Sequence, residues 1–256
     1  MPDFFERNAP AWYPDARRVQ SPNYAPGHQG RRAVVLHIAE GGYQSSIDFM
    51  ATAGVSAHFI VSENGNISQL VSVFDTAYGN GLSYKNGQWI SPRNKVVHPT
   101  WQLIEPGVNP NLQTISIEHA GFHTKSRPKV QLDATVRLLK WLASWWVSLN
   151  PYVPGKTLIG HGMLDTIDRV NCPGPYFNLA MIAKAANPIL IPARYIYSPR
   201  LPIYQASTLT GPLAGYVLPG EEVAIDAKAP LPGYAANAGH LASGAGFVDL
   251  SKLESV

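Results

Sequence analysis

Cysteine is nearly absent from the 256-residue chain. Cys172 stands alone, so no intramolecular disulfide can form. Charge is scarce as well: 14% of residues are Asp, Glu, Lys or Arg, against roughly 25% in soluble domains. No Lys/Arg block or stripe of the kind that binds nucleic acid occurs. The net charge of +3 mildly favours an anionic polymer and selects none. No apolar stretch nears the ~20 residues needed to span a bilayer. The start, MPDFFERNAPAWYPDARR, lacks the basic-then-apolar order of a secretory signal. The expectation is a protein made in the cytoplasm, with no nucleic-acid partner and no membrane insertion, that reaches any outside target by another route of release.

Hydrophobic residues make up 45% of the chain, enough for a sizeable core, and 22 Gly with 22 Pro imply many turns. Residues 1–32 read as an arm or loops. AVVLHIAE (33–40) reads as a buried strand, and YQSSIDFMATAG as a short helix ending at Gly54. SAHFIVSENGNISQLVS places two apolar runs around Asn64-Gly65, a hairpin signal. Residues 75–112 lack periodicity and read as one long loop. TISIEHAG (114–121) is a strand. DATVRLLKWLASWWVSLN reads as an amphipathic helix N-capped by Asp133, with Leu138, Leu142, Trp145 and Leu149 at helical spacing. KTLIGH (156–161) is a strand and PYFNLAMIAKAA a last helix. This alternation predicts an α/β domain: a mixed central β-sheet flanked by helices. After a boundary near 188–195 the remainder reads as a small all-β unit of short runs split by Gly and Pro. The domains are set at 1–190 and 191–256.

Several polar residues close the predicted strands. His37 ends the first, Glu118 lies in ISIEHAG, and His161 ends TLIGH. Cys172 follows in DRVNCPGP, where Pro-Gly-Pro demands a rigid turn. Three readings of Cys172 stay open on residues alone: a small buried apolar side chain, a catalytic thiolate, or a metal ligand. Two histidines and a thiolate are donors that zinc favours, and a catalytic zinc keeps three protein ligands. The spacing is dispersed, and a histidine after an apolar strand is commonly structural. His58 alternates with Ala57 and Phe59, so it either lines a cleft or makes structural hydrogen bonds. His119 must face away from Glu118. His28, His98, His123 and His240 read as loop residues, and Trp141, Trp145 and Trp146 as core.

The blocks VVLHIAEG, SAHFIVSENGNISQLV, DTAYGNG, TISIEHAGF, QLDATVRLLKWLASWW and LIGHGMLDTIDRVNCPGPYF, in this order over about residues 30–180, resemble the zinc-dependent N-acetylmuramoyl-L-alanine amidases of the amidase-2 class, which includes phage endolysins and peptidoglycan recognition proteins. The resemblance implies the amidase-2 fold, one Zn2+ per chain and peptidoglycan as partner. It makes His37, His161 and Cys172 the metal ligands, and Glu118 the general base and acid that cuts the bond between the lactyl group of N-acetylmuramic acid and L-alanine. Tyr78 and Asn80 match a cleft-wall segment, and His58 joins them as a candidate substrate contact. Two positions depart from the pattern. Ala57 stands where some relatives have tyrosine, and Val170 where many have lysine. The group that stabilises the oxyanion is therefore open, with Arg169 adjacent.

The tail, PIYQASTLTGPLAGYVLPGEEVAIDA through GHLASGAGFVDLSKLE, resembles a bacterial SH3-like barrel, which implies wall binding. The whole reads as a monomeric, endolysin-like bacteriolytic hydrolase that acts on the cell wall after holin-type release or lysis. Two alternatives stand beside it. One is a peptidoglycan-binding protein without activity, which the full ligand set disfavours. The other is a wall peptidase with Cys172 as nucleophile and His161 as its base.

Overall fold

Short apolar runs bounded by glycine and proline build the sheet of the first of two units, Met1–Asn187 and Pro188–Val256. The computed structural model describes residues 11–187, 191–195, 201–205, 208–210, 212–218, 222–228 and 237–255. The first ten residues of the segment 1–32, expected as an arm or loops, and the boundary residues 188–190 lie outside them.

Among the described residues the first unit holds eleven strands: β1 (Arg17–Arg18), β2 (Tyr24–Ala25), β3 (Ala33–Leu36), β4 (Phe59–Val61), β5 (Ile67–Gln69), β6 (Thr76–Ala77), β7 (Ser83–Lys85), β8 (Gln88–Ile90), β9 (Val96–Val97), β10 (Thr114–His119) and β11 (Leu158–Gly160). Six of them form one mixed sheet in the order β1-β5-β4-β10-β3-β11. β4, β10, β3 and β11 run parallel, and β5 returns antiparallel to β4 through the Asn64-Gly65 turn. Gly65 has φ +79°, and a Cβ there would meet Val130 at 2.9 Å, so the turn needs glycine twice over.

The period of two sorts the side chains. Val34, Leu36, Phe59, Val61, Ile115 and Ile117 meet helices α2 (Lys129–Trp145) and α3 (Leu179–Ala186) through Leu138, Leu142 and Ile182. On the other face Ile60 and Leu70 pack with Ile47 and Met50 of α1 (Tyr43–Thr52). Ala33, Val35 and Ile159 pack with Trp89, Val97 and Trp101. Helices thus flank a mixed central sheet, as the alternation implied.

Three local expectations are corrected. Residues 75–112 are not one loop. They hold β6 and an antiparallel three-stranded sheet, β7-β8-β9, whose first turn is Asn86-Gly87 with φ +50° and +79°. That pair is itself a two-residue hairpin signal, hidden by strands of two or three residues. Helix α2 starts at Lys129, a turn before the expected cap. Pro128 precedes it, and Asp133 sits inside, paired with Lys129 at 2.7 Å. The helix also stops at Trp145, because Trp146 is extended (φ −109°, ψ 96°). Asn178, by contrast, does cap α3, accepting from the Met181 N–H at 3.1 Å.

The second unit carries β12 (Ile191–Tyr195), β13 (Leu201–Tyr204), β14 (Leu213–Val217), β15 (Glu222–Lys228), β16 (Ala238–Leu241), β17 (Phe247–Asp249) and β18 (Leu253–Ser255). They pair antiparallel in the order β14-β13-β17-β16-β15-β12-β18. Leu201, Ile203, Val217, Ile225, Leu241 and Val248 form its own core. His240, expected in a loop, lies on β16.

Leu138 is fully buried at the centre of the α2 interface. Leu138→Ala should cost about 2–5 kcal/mol, read from the urea midpoint of the first unit's transition.

Candidate metal centre

Parallel strands deliver their C-terminal ends to one edge of a sheet, and three polar residues arrive there. His37 follows β3 directly, Glu118 lies one residue before the end of β10, and His161 opens a 3-10 turn right after β11. Ile117 pairs with Leu36 and Gly160 pairs with Leu36 on its other side. The next residue along each strand, Glu118, His37 and His161, therefore meets its neighbours in one row.

Cys172 reaches the row by a turn that folds back on β11. The Gly162 N–H donates to the Cys172 carbonyl at 2.7 Å. A Cβ on Gly162 would lie 2.9 Å from the carbonyl oxygens of Arg169 and Val170, so only glycine permits this approach. The turn is held from outside by Asp168. Its carboxylate accepts from Ser91 Oγ at 2.7 Å and Lys95 Nζ at 2.9 Å, tying the segment to the three-stranded sheet. Those donors hold the Asp168 carboxyl below the usual range. Asp165 Oδ1 accepts the N–H groups of Ile167 and Asp168.

His37 Nδ1 lies 2.9 Å from His161 Nδ1, and one ligand atom from each of His37, His161 and Cys172 falls within 4.8 Å of the others. His161 Nε2 faces the carbonyl oxygen of Asn80 at 3.2 Å. That nitrogen must carry the hydrogen, leaving Nδ1 as a bare lone pair. Two ring nitrogens this close need a hydrogen or a cation between them. Burial pushes His37 well below its ordinary pKa and His161 down to about 4, so both rings are neutral, and a His37 tautomer with its hydrogen on Nδ1 meets the need in the metal-free protein. Two nitrogens with one sulfur are also a donor set that zinc takes. Tetrahedral bonds of about 2.0–2.1 Å set neighbouring nitrogens a little over ~3 Å apart, close to the spacing found.

The Cys172 sulfur accepts the Ile38 N–H at 3.3 Å, as a thiolate ligand would. Burial and the Glu118 charge raise its thiol pKa far above the usual value. A free cysteine nucleophile needs the opposite shift, which weighs against the peptidase alternative. Glu118 is 15% exposed, with Oε1 3.9 Å from His37 Nδ1 and Oε2 buried without a hydrogen-bond partner. Burial raises its pKa to about 8, partly opposed by the positive charge of Arg169. Arg169 is exposed, and its charge acts on all four groups. Val170 is 64% exposed.

The tentative substrate contacts divide. Tyr78 is 38% exposed. Asn80 is fully buried: its side-chain NH2 donates to Thr114 Oγ1 at 2.9 Å, and its backbone carbonyl orients His161. It touches a ligand rather than solvent, a backbone role that no side-chain pattern signals. His58 is corrected. It is fully buried, Nδ1 accepts the Ser116 N–H at 3.0 Å, and Nε2 lies 3.0 Å from the Asp75 carbonyl oxygen beside Arg31. It belongs to the core. His119 does face away, with Nδ1 2.8 Å from the His37 carbonyl oxygen and Nε2 2.8 Å from Thr135 Oγ1.

The profile of the amidase-2 family, described as N-acetylmuramoyl-L-alanine amidase, matches residues 27–175. The chain belongs to the N-acetylmuramoyl-L-alanine amidase family. It is 27% identical over 177 residues to N-acetylmuramoyl-L-alanine amidase A of Achromobacter lyticus, covering 62% of this chain and 85% of that protein. Among solved structures, AmpD superposes with a TM-score of 0.50 at 21% identity, over 68% of this chain and 96% of that one, a likeness of fold. An endolysin amidase from Clostridium intestinale is 16% identical, with a TM-score of 0.45 over 68% and 97% of the two chains. The family match spans His37, Glu118, His161 and Cys172, and leaves the second unit outside.

Glu118 gives the metal-free protein a pH signature. Its folded pKa of about 8 stands above the ordinary 4.5, so folding favours its protonated form. The stability this group contributes is complete below pH 4.5 and is lost as pH rises toward 8. Glu118→Gln should therefore be increasingly more stable than the parent across that window, by a few kcal/mol at most, with a constant gap above it. Urea unfolding of chelated protein at several pH values checks this; a gap that does not change with pH refutes it.

Proposed function

We propose that this chain is a zinc-dependent N-acetylmuramoyl-L-alanine amidase that hydrolyses peptidoglycan at the amide joining the lactyl group to L-alanine. The observation that carries the reading is the pair of neutral imidazoles 2.9 Å apart with Cys172 and Glu118 beside them, in a chain of the amidase family. His37, His161 and Cys172 would hold one zinc ion. When bound, zinc would supply Lewis acidity, polarising a carbonyl and making water more acidic.

The protein's own groups do the rest. Asn80 fixes the His161 tautomer through its carbonyl, and the Ile38 N–H supports the sulfur. Glu118 takes the proton of the attacking water and returns it to the leaving nitrogen of L-alanine. Burial raises this carboxyl to about 8 in the metal-free protein, and a bound dication would lower it, toward the range in which one group both accepts and returns a proton. Arg169, whose charge reaches the cluster, stabilises negative charge developing on the carbonyl oxygen in place of the missing lysine. Tyr78 is the remaining cleft-wall contact.

Digestion of purified peptidoglycan followed by mass spectrometry tests the reading. Stem peptides with a free L-alanine amine should appear with metal and vanish with chelator. Glu118→Gln should lower the rate about 10²–10⁴-fold. Cys172→Ser should lose both zinc, measured by elemental analysis, and activity. Cuts within the glycan or the stem would overturn the assignment, and sedimentation with the wall without cutting would favour a binding protein.

The second unit, 191–256 in the domain reading, is proposed as an SH3-like wall-binding module. Its sheet order and separate core support an autonomous β-unit. Among the described residues no helix is long and apolar enough to cross a membrane. The protein is proposed to act as a monomer on the wall after holin-type release or lysis. Removing residues 188–256 should weaken sedimentation with purified wall several-fold while turnover of a soluble muropeptide stays within about twofold. Unchanged sedimentation argues against the module.

A further inference from the structure

Three segments leave the C-terminal ends of the parallel strands β3, β10 and β11 around the site. One joins β3 to α1 and holds His37, one joins β10 to α2 just beyond Glu118, and one joins β11 to α3 and holds Cys172. His123, a loop residue by sequence, lies in the second and touches the other two. Its backbone N–H donates to Glu40 Oε1 at 3.0 Å, and its ring Nδ1 lies 2.7 Å from the same oxygen. An ionised carboxylate only accepts, so Nδ1 carries the hydrogen. His123 also meets Gly174. A Cβ on Gly174 would lie 2.9 Å from the His123 carbonyl oxygen and 3.0 Å from its Cβ, so the backbone of the Cys172 turn rests directly on His123.

Both partners of the Glu40–His123 pair are held in place. Glu40 has φ +54°, a left-handed backbone that a residue with a Cβ keeps only where its surroundings hold it. A two-way bridge next to it does so: the Gly41 N–H donates to the Gly121 carbonyl at 3.1 Å, and the Gly121 N–H to the Gly41 carbonyl at 2.7 Å. The loop that carries His123 winds around the buried guanidinium of Arg127. That group donates to the Ala120 carbonyl at 3.1 Å and to the Phe122 and Lys125 carbonyls at 2.8 Å. His123 therefore offers a fixed surface to the Cys172 turn. Asp168 ties that turn before the sulfur, and Gly174 seats it after.

We propose that His123, clasped by Glu40, is a positioning residue for Cys172: it is the stop against which Gly174 seats the turn, and it sets where the sulfur lies relative to His37 and His161. The proposal rests on the zinc amidase reading for what the sulfur holds, and on these contacts alone for how the turn is held. The clasp acts through the sulfur's place rather than through charge. The two are separable at Glu40, whose negative charge pushes the Cys172 thiol up. Glu40→Gln keeps the acceptor oxygen and removes the charge, and Glu40→Ala removes both.

The test uses the full chain, in which Cys172 is the only thiol. Chelated protein is first alkylated with iodoacetamide, an uncharged reagent. His123→Ala and Glu40→Ala should each raise the rate several-fold, and the double variant should add little to either. Glu40→Gln and His123→Asn should stay near the parent. The pair is partly exposed, so the urea midpoint of the first unit should hardly move. Zinc affinity, read by competition with a chromophoric chelator, should fall about tenfold in the two alanine variants. In cobalt-loaded protein the sulfur-to-metal absorption should weaken in the same two. Unchanged alkylation in both alanine variants overturns the proposal. So does a Glu40→Gln rate equal to that of Glu40→Ala, since charge would then be the cause, or a urea midpoint that falls in step with the rate, since unfolding would be. Lost zinc affinity with the sulfur absorption intact overturns it as well. If the parent takes up no zinc while the alkylation pattern holds, the zinc reading fails and the seating of the turn on His123 stands.

Discussion

Two histidine nitrogens at 2.9 Å impose a requirement that shapes everything around them: a hydrogen or a cation must lie between them. Neither ring takes a proton readily, because burial removes the solvation a charged imidazole needs. The pair can share a hydrogen or hold a cation, and the surroundings keep the two rings turned toward each other. The Asn80 carbonyl turns His161, and the parallel register of β3, β10 and β11 sets the ligand row. A buried cation site of this kind is assembled largely from backbone atoms, with side chains placed by strand pairing.

The third ligand has a different origin. His37 and His161 are fixed by the sheet, whereas Cys172 arrives on a turn whose position depends on contacts outside the core. Gly162 lets the turn approach, and Asp168 anchors it to Ser91 and Lys95 of the small sheet. The small sheet in turn rests its Trp89 and Val97 on the face of the main sheet that carries the site. A segment without periodicity thus has a mechanical part in placing the Cys172 sulfur.

Much of this was legible in the residues. The buried strands, the hairpin at Asn64-Gly65 and the two histidines after strand ends follow from periodicity and from residue type. Cys172 could not be assigned by pattern alone, since a lone cysteine in a Pro-Gly-Pro turn fits three roles. The small sheet escaped because its strands are too short to show alternation, though Asn86-Gly87 carried its signal. For His58 and Asn80 the sequence leaves cleft contact and structural role side by side, for a common reason. Their exposure depends on what packs above them, Arg31 and Asp75 in one case and Asn111 with Thr114 in the other, and local sequence does not encode that. The start of α2 was missed because no side chain caps it.

Strand β10 serves two clients at once. Glu118 faces the ligand row, while Ile117 and His119 face α2 and α3, His119 stacking on Phe177 at 4.6 Å. Inserting or deleting one residue between Thr114 and Glu118 would exchange the two faces. A deletion would bring the His119 imidazole, and an insertion the Ile117 side chain, into the site in place of the carboxylate, which would be driven against the helices in either case. Point substitutions can tune this strand, but a change in its length cannot be absorbed, so lineages carrying it should diverge in composition here and keep the residue count constant.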